Sequence, residues 1–185
     1  MRVDGRSGRP RSVPGPSVVI RAARASELPL ISALEKSGEK QFRAAGMDRA
    51  ADAPASEPDA YRPALENGGL LVAVDGRDTP VGFIRLEMLD GDMHVEQVSV
   101  HPDHAGHGIG ASLLAAAEQL ARARGHRRIT LTTFRDVPWN GPYYTRLGWS
   151  IVRDADLPPE LAAARQHERE LGFDEWPRQA MAKSL

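Results

Sequence analysis

The sequence predicts one α/β (α+β) domain, a mixed and mostly antiparallel sheet flanked by helices. Three observations predict it. Strand-like runs at 70–74, 81–88 and 93–100 follow one another with only the turn signals Asp75-Gly76 and Asp90-Gly91 between them, which reads as an antiparallel meander. Elsewhere, apolar residues at helical spacing alternate with short β-branched runs, so helices lie against the sheet. The length, 185 residues with 41% hydrophobic and 26% charged residues, fits a single core.

The elements follow in order. Val18-Val19-Ile20 opens a first strand. Ser26 is read as the N-cap of a helix with Pro29 in its first turn and Leu30, Leu34 and Phe42 along it. Residues 47–58, rich in Ala, Asp and Pro, are read as a loop, and 58–65 as a short helix ended by Asn67-Gly68-Gly69. After the meander comes a helix over 110–124, with Leu113, Leu114, Ala117 and Leu120 on one face and Gly125 as its stop. Residues 128–134 alternate Ile129 and Leu131 with Thr130 and Thr132, a strand; 142–147 is a short helix and 149–152 a strand. A polar helix over 158–171 and a strand over 179–183 close the chain. Residues 1–17 are Arg-, Gly- and Pro-rich without an apolar stretch, which reads as a disordered leader and not a secretory signal, leaving 18–185 as the domain.

The strand at 93–100 carries an irregularity. Met93 and Val95 place apolar side chains on odd positions, Val98 and Val100 on even ones, so the two-residue period slips at Glu96-Gln97. A β-bulge there accounts for the slip, and bulges gather beside active sites. A strand buried on both faces is the alternative.

Composition closes off several functions. Lys+Arg at 24 against Asp+Glu at 25 gives a formal charge of −1, so nucleic acid is not expected as a partner. With no cysteine there is no disulfide, thiolate metal site or cysteine nucleophile. No apolar run approaches the roughly 18 residues of a membrane span, and the default location is the cytoplasm.

The chemistry-bearing segment is Val98-Ser99-Val100-His101-Pro102-Asp103-His104-Ala105-Gly106-His107-Gly108-Ile109-Gly110, a strand, a glycine turn and a helix start. Glycines let backbone N–H groups converge, and the helix N-terminus adds free donors, which together suit a pyrophosphate. Placement after a meander argues against a dinucleotide-binding βαβ unit, and the absence of Gly-Lys-Ser/Thr against a kinase-type phosphate loop.

Strand, Val-x-Val-His-Pro, glycine turn and helix together resemble the acyl-CoA signature of the GNAT superfamily of N-acyltransferases. A second stretch, Asn140-Gly141-Pro142-Tyr143-Tyr144-Thr145-Arg146-Leu147-Gly148-Trp149, is similar to the family's later motif. The resemblance covers about residues 18 to 152 and implies acetyl-CoA as cosubstrate and an amine as acceptor. It implies that Val98, Ser99 and Val100 run along the pantetheine and that Ala105, Gly106, His107, Gly108, Ile109, Gly110 and Ala111 hold the pyrophosphate. By the same resemblance Asn140 contacts the pantetheine, Tyr144 stands near the sulfur, and Glu96 occupies the place of the general base. Two departures stand out: Ala105 replaces a usual Gln or Arg, and His107 stands where Arg is frequent, which makes its ring a pH-dependent contact to the pyrophosphate. Acyl transfer itself asks for a base toward the amine and an acid toward the thiolate, and a Tyr hydroxyl suits the latter. Glu87 and His94 are further candidates for proton transfer, and an Asx turn or helix cap is the other reading of Asn140.

His101, His104 and His107 have a spacing that suits a metal site only on a helix, whereas Pro102 and the glycines make a turn, so no metal is expected. A serine hydrolase lacks its Gly-x-Ser-x-Gly elbow here. The competing function is a non-catalytic acyl-CoA sensor or interaction module. The resemblance also implies an acceptor region at about 41–58 and 134–139, where Arg43, Arg49 and Arg135 balance Asp48, Asp52 and Asp136. Homodimerisation is an implication of the resemblance alone.

Overall fold

The computed structural model describes residues 18–185; the leader read at 1–17 lies outside the described residues. The chain runs β1 (Val19–Ala22), α1 (Leu28–Ala44), α2 (Asp48–Ala51), α3 (Arg62–Glu66), β2 (Leu70–Val74), β3 (Pro80–Leu89), β4 (Asp92–Val100), α4 (Ile109–Ala123), β5 (Arg128–Phe134), α5 (Gly141–Arg146), β6 (Ser150–Val152), α6 (Pro159–Glu170) and β7 (Arg178–Ser184). The strands form one seven-stranded sheet in the order β1-β2-β3-β4-β5-β7-β6. Every pairing is antiparallel except β4 with β5.

Strand alternation builds a core on each face. On one side Ile84, Leu86, Met93, Val95, Ile129, Leu131 and Met181 pack with Ile109, Leu113, Leu114, Ala117 and Ala121 of α4 and with Tyr144 and Trp149. On the other, Val72, Val74 and Phe83 meet Leu28, Ile31 and Leu34 of α1 and Tyr61. Each fully buried Leu or Ile is worth about 1.5–3 kcal/mol. The small residues Ala117 and Ala121 let α4 lie close to the sheet.

Three local expectations are corrected. Ser26 does not cap α1: it sits inside a 3₁₀ turn, Ala25–Glu27, and the helix begins at Leu28 with Glu27 before it. The Glu27 carboxylate accepts the Arg24 N–H at 2.7 Å and the Arg21 guanidinium at 2.6 Å, so an acid with a strong ion pair takes the place that a hydroxyl was expected to fill. The loop at 47–58 contains the single-turn helix α2, and the helix at 58–65 divides into a 3₁₀ turn, Pro58–Tyr61, and α3.

Candidate functional site

The site begins with the register of β4. Arg85 pairs with Gln97 but the next residue, Leu86, pairs with Val95, so Glu96 is the extra residue of a β-bulge. The bulge resets the alternation, and Met93, Val95, Val98 and Val100 all pack toward the α4 core. It also marks where the sheet divides. β4 pairs β5 only from Met93 to Val95 against Ile129 to Leu131. Beyond that point β4 follows β3 to Val100 while β5 follows β7 to Phe134, and a wedge opens between them.

A cavity of about 650 Å³ runs through this wedge. On the α4 side it is lined by Val98, Ser99 and Val100, by Ala105, Gly106, Gly108, Ile109, Gly110 and Ala111, and by Asn140, Tyr143 and Tyr144. Gly106 and Gly108 adopt φ of 77° and 78°, a left-handed conformation costly for any other residue. The first intrahelical bond of α4 runs from Ser112 N–H to Gly108 carbonyl, and no side chain caps the helix. The N–H groups of Ile109, Gly110 and Ala111 are thus open to an anionic ligand at the positive end of a 15-residue helix.

His107 is not in the lining; it is exposed, with Nδ1 3.3 Å from the His104 carbonyl oxygen. The turn's own local bond draws the ring away from the cavity. His101 Nδ1 accepts from the Asp103 N–H at 3.2 Å, so the three turn histidines engage local partners or, for His104, the cavity wall.

α5 presents Tyr144 to the wedge. Tyr144 is 9% exposed, edge-on to Tyr143 and Trp149 at 5.6 and 6.0 Å between ring centroids. Burial, and secondarily Tyr143, push its phenol above the ordinary range, so it stays protonated at neutral pH. Asn140 occupies the N-cap position of α5 but makes no side-chain cap bond, and it lines the cavity. Gly141 admits no side chain: a Cβ there would strike the Arg135 carbonyl oxygen and come within 2.8 Å of Gln179 Nε2.

At the bulge three ionisable side chains converge. Glu87, opposite His94 in the β3–β4 register, lies with His94 and Glu96 so that one donor atom of each falls within 4.8 Å of the others. Among the described residues this is the group able to gather a cation. Desolvation first, then the Glu96 charge and a hydrogen bond to it, push the Glu87 carboxyl up to about 7. His94, 2% exposed, is pushed down by burial and shares a 2.8 Å hydrogen bond between Nδ1 and Thr130 Oγ1.

On the α1 side of the sheet the cavity is lined by Glu35, Gln41, Phe42, Phe134, Trp139 and Arg178, among others. The charged residues expected to meet the acceptor do not line it: Arg43 ion-pairs with Asp48 and Asp52, and Arg135 with Asp136 at 2.9 Å. Glu35, Tyr143 and Arg178 were not singled out from sequence.

The Acetyltransferase (GNAT) family model matches residues 34–149. The mycothiol acetyltransferase of Clavibacter sepedonicus is 31% identical over 100 residues, 54% of this chain and 32% of that protein, so the chain matches about a third of that relative's length. PaiA N-acetyltransferase from Thermoplasma acidophilum, crystallised with coenzyme A, superposes with a TM-score of 0.68 at 16% identity, covering 91% of this chain and 99% of that one. N-acetylglutamate synthase from Neisseria gonorrhoeae, crystallised with coenzyme A and N-acetyl-glutamate, gives 0.66 at 16% identity over 91% of this chain and 35% of that one. At such identities these two structures establish a common fold. Among the described residues no helix is long and apolar enough to cross a membrane.

Proposed function

The chain belongs to the GNAT family of acetyltransferases, and on that premise we propose that it transfers an acetyl group from acetyl-CoA directly to a primary amine in a ternary complex. The observation that carries this is one cavity, passing through the divided sheet, that reaches the glycine turn, Glu96 and Tyr144 together.

The residues fit the coenzyme. The left-handed glycines and the open amides at the start of α4 suit its pyrophosphate, and the edge of β4 beyond Val95 lacks a β5 partner and is free to pair with an extended amide chain. In this reading Val98, Ser99 and Val100 hold the pantetheine with Asn140, and the backbone from Ala105 to Ala111 holds the phosphates. When bound, acetyl-CoA supplies a thioester whose carbonyl carbon the amine attacks, the C–N bond forming as the C–S bond breaks. Glu96 accepts the proton that the nitrogen loses. The Tyr144 hydroxyl gives its proton to the departing thiolate and regains one from solvent, leaving an amide and a free thiol. Glu87, pushed up to about 7 by burial and then by Glu96, keeps a proton near neutrality beside this base.

Thiol release from acetyl-CoA with a panel of amines tests the activity, and thermal shift tests the ligand. Acetyl-CoA raises the melting temperature, as a native-state ligand must. A shift with ATP or NAD and none with CoA refutes the coenzyme; CoA binding without thiol release on any amine favours a sensor.

A further inference from the structure

The acceptor half of the cavity has a specific chemistry. Its wall is aromatic: Phe42 meets Phe134 edge-on at 5.7 Å and Trp139 at 6.2 Å between centroids, and Trp139 remains 37% exposed. The cation on this side, Arg178, is already committed. Its Nε donates to Glu168 at 3.0 Å and one Nη to the other Glu168 oxygen at 2.6 Å, and the same Nη reaches Thr132 Oγ1 at 3.2 Å. The guanidinium lies 4.4 Å over the Phe134 ring. With its Nε–Nη edge on the carboxylate and the same Nη also given to Thr132, the guanidinium has no free two-donor edge for a carboxylate on a ligand. The carboxylates in the lining are Glu35 and Glu96. Neither forms an ion pair among the described residues. Glu35 is oriented by the Ser56 N–H at 3.1 Å and by the Tyr61 hydroxyl.

We propose that the acceptor is a primary amine on an apolar, preferably aromatic, body that bears no carboxylate or phosphate. This rests on the acetyl-transfer reading above. The ammonium is drawn by two carboxylates that hold no cation and by ring faces, and the body packs on Phe42, Phe134 and Trp139. A carboxylate beside the amine would face Glu35 and Glu96 with Arg178 closed to it, which selects against free amino acids.

The test takes 2-phenylethylamine, L-phenylalanine and L-glutamate as acceptors, after calorimetry has established acetyl-CoA binding. 2-Phenylethylamine is expected to exceed L-phenylalanine in kcat/KM by about tenfold or more, with L-glutamate slower again. Glu35→Gln narrows the ratio between the first two, and Trp139→Ala lowers kcat/KM for 2-phenylethylamine about tenfold while acetyl-CoA still binds, a sign that the fold is kept. Equal or faster turnover of L-phenylalanine or L-glutamate overturns the proposal. So does acetyl-CoA binding with no turnover of any of the three. Failure to bind acetyl-CoA at all instead removes the acetyl-transfer reading on which it stands.

Discussion

Replacing Glu87 by Gln removes a charge that the fold holds at a cost. Glu87 titrates at about 7 against an ordinary 4.5, chiefly through desolvation and then through Glu96. Between these two values the folded state binds more protons than the unfolded one, so stability falls as pH rises through the window and the full penalty is present above 7. At 1.36 kcal/mol per pKa unit the displacement corresponds to roughly 3 kcal/mol for a fully desolvated group. Glu87 keeps partial solvent contact, which screens the cost, so about 1 kcal/mol is the expected size. In a chain of this length that is a melting shift of about 2–4 °C. Scanning calorimetry of wild type and Glu87→Gln from pH 4.5 to 8.5 is therefore expected to show equal melting temperatures at the acid end and a variant higher by that amount at pH 8. A melting difference that is constant across pH, or a variant less stable at pH 8, refutes the reasoning.

Three further outcomes follow from the site. Tyr144→Phe should lower kcat by about 10²- to 10⁴-fold with the affinity for CoA unchanged by calorimetry; an unaltered kcat assigns the residue to packing. Gly141→Ala drives a methyl group into the Arg135 carbonyl and against Gln179, and overpacking of this kind costs about 1–3 kcal/mol, readable as a lower denaturation midpoint. Ala105→Arg places a guanidinium in the turn where it can meet the pyrophosphate, tightening CoA about two- to fivefold in a salt-dependent way; tightening that persists at high salt argues for a different contact.

The order of elements along the chain was legible because each signal rested on local chemistry. The apolar period that slips between Val95 and Val98 is a property of a few residues, and the register places the bulge at Glu96. The glycine turn and α4 follow from neighbouring residues in the same way. The Glu87–His94 pairing was within reach too. Asp90 and Gly91 take φ of 51° and 76°, a two-residue turn that sets Leu89 opposite Asp92, and counting outward sets Glu87 opposite His94. Out of reach were contacts between distant segments. Arg178 to Glu168 and Thr132 joins three elements, and nothing in any one of them signals that an arginine at the start of the last strand will be closed by an acid on α6. His107 is a different case: it was expected toward the phosphates, and its ring instead lies 3.3 Å from a carbonyl oxygen of its own turn, a short-range contact.

Those distant contacts explain why the wedge between β4 and β5 does not need a ligand to hold it open. Two strands that diverge after three paired residues expose backbone groups that would otherwise pair, so each must be held by something else. β4 is held by β3 up to Val100, and Ser99 Oγ reaches the Leu34 carbonyl of α1 at 3.4 Å. β5 is held along its whole length by β7, from Arg128 to Phe134, and Thr132, in the cavity wall, is tied to Glu168 and Arg178. Arg165, 2% exposed, joins Glu168 to Asp174 and so anchors α6 beneath that group. Closing the wedge would require breaking the β3–β4 ladder on one side or, on the other, a partly buried charged network whose loss of one partner costs several kcal/mol. The bulge at Glu96 sits where the sides part, which makes one residue both the reason the strand turns away and the carboxylate facing the opening that results.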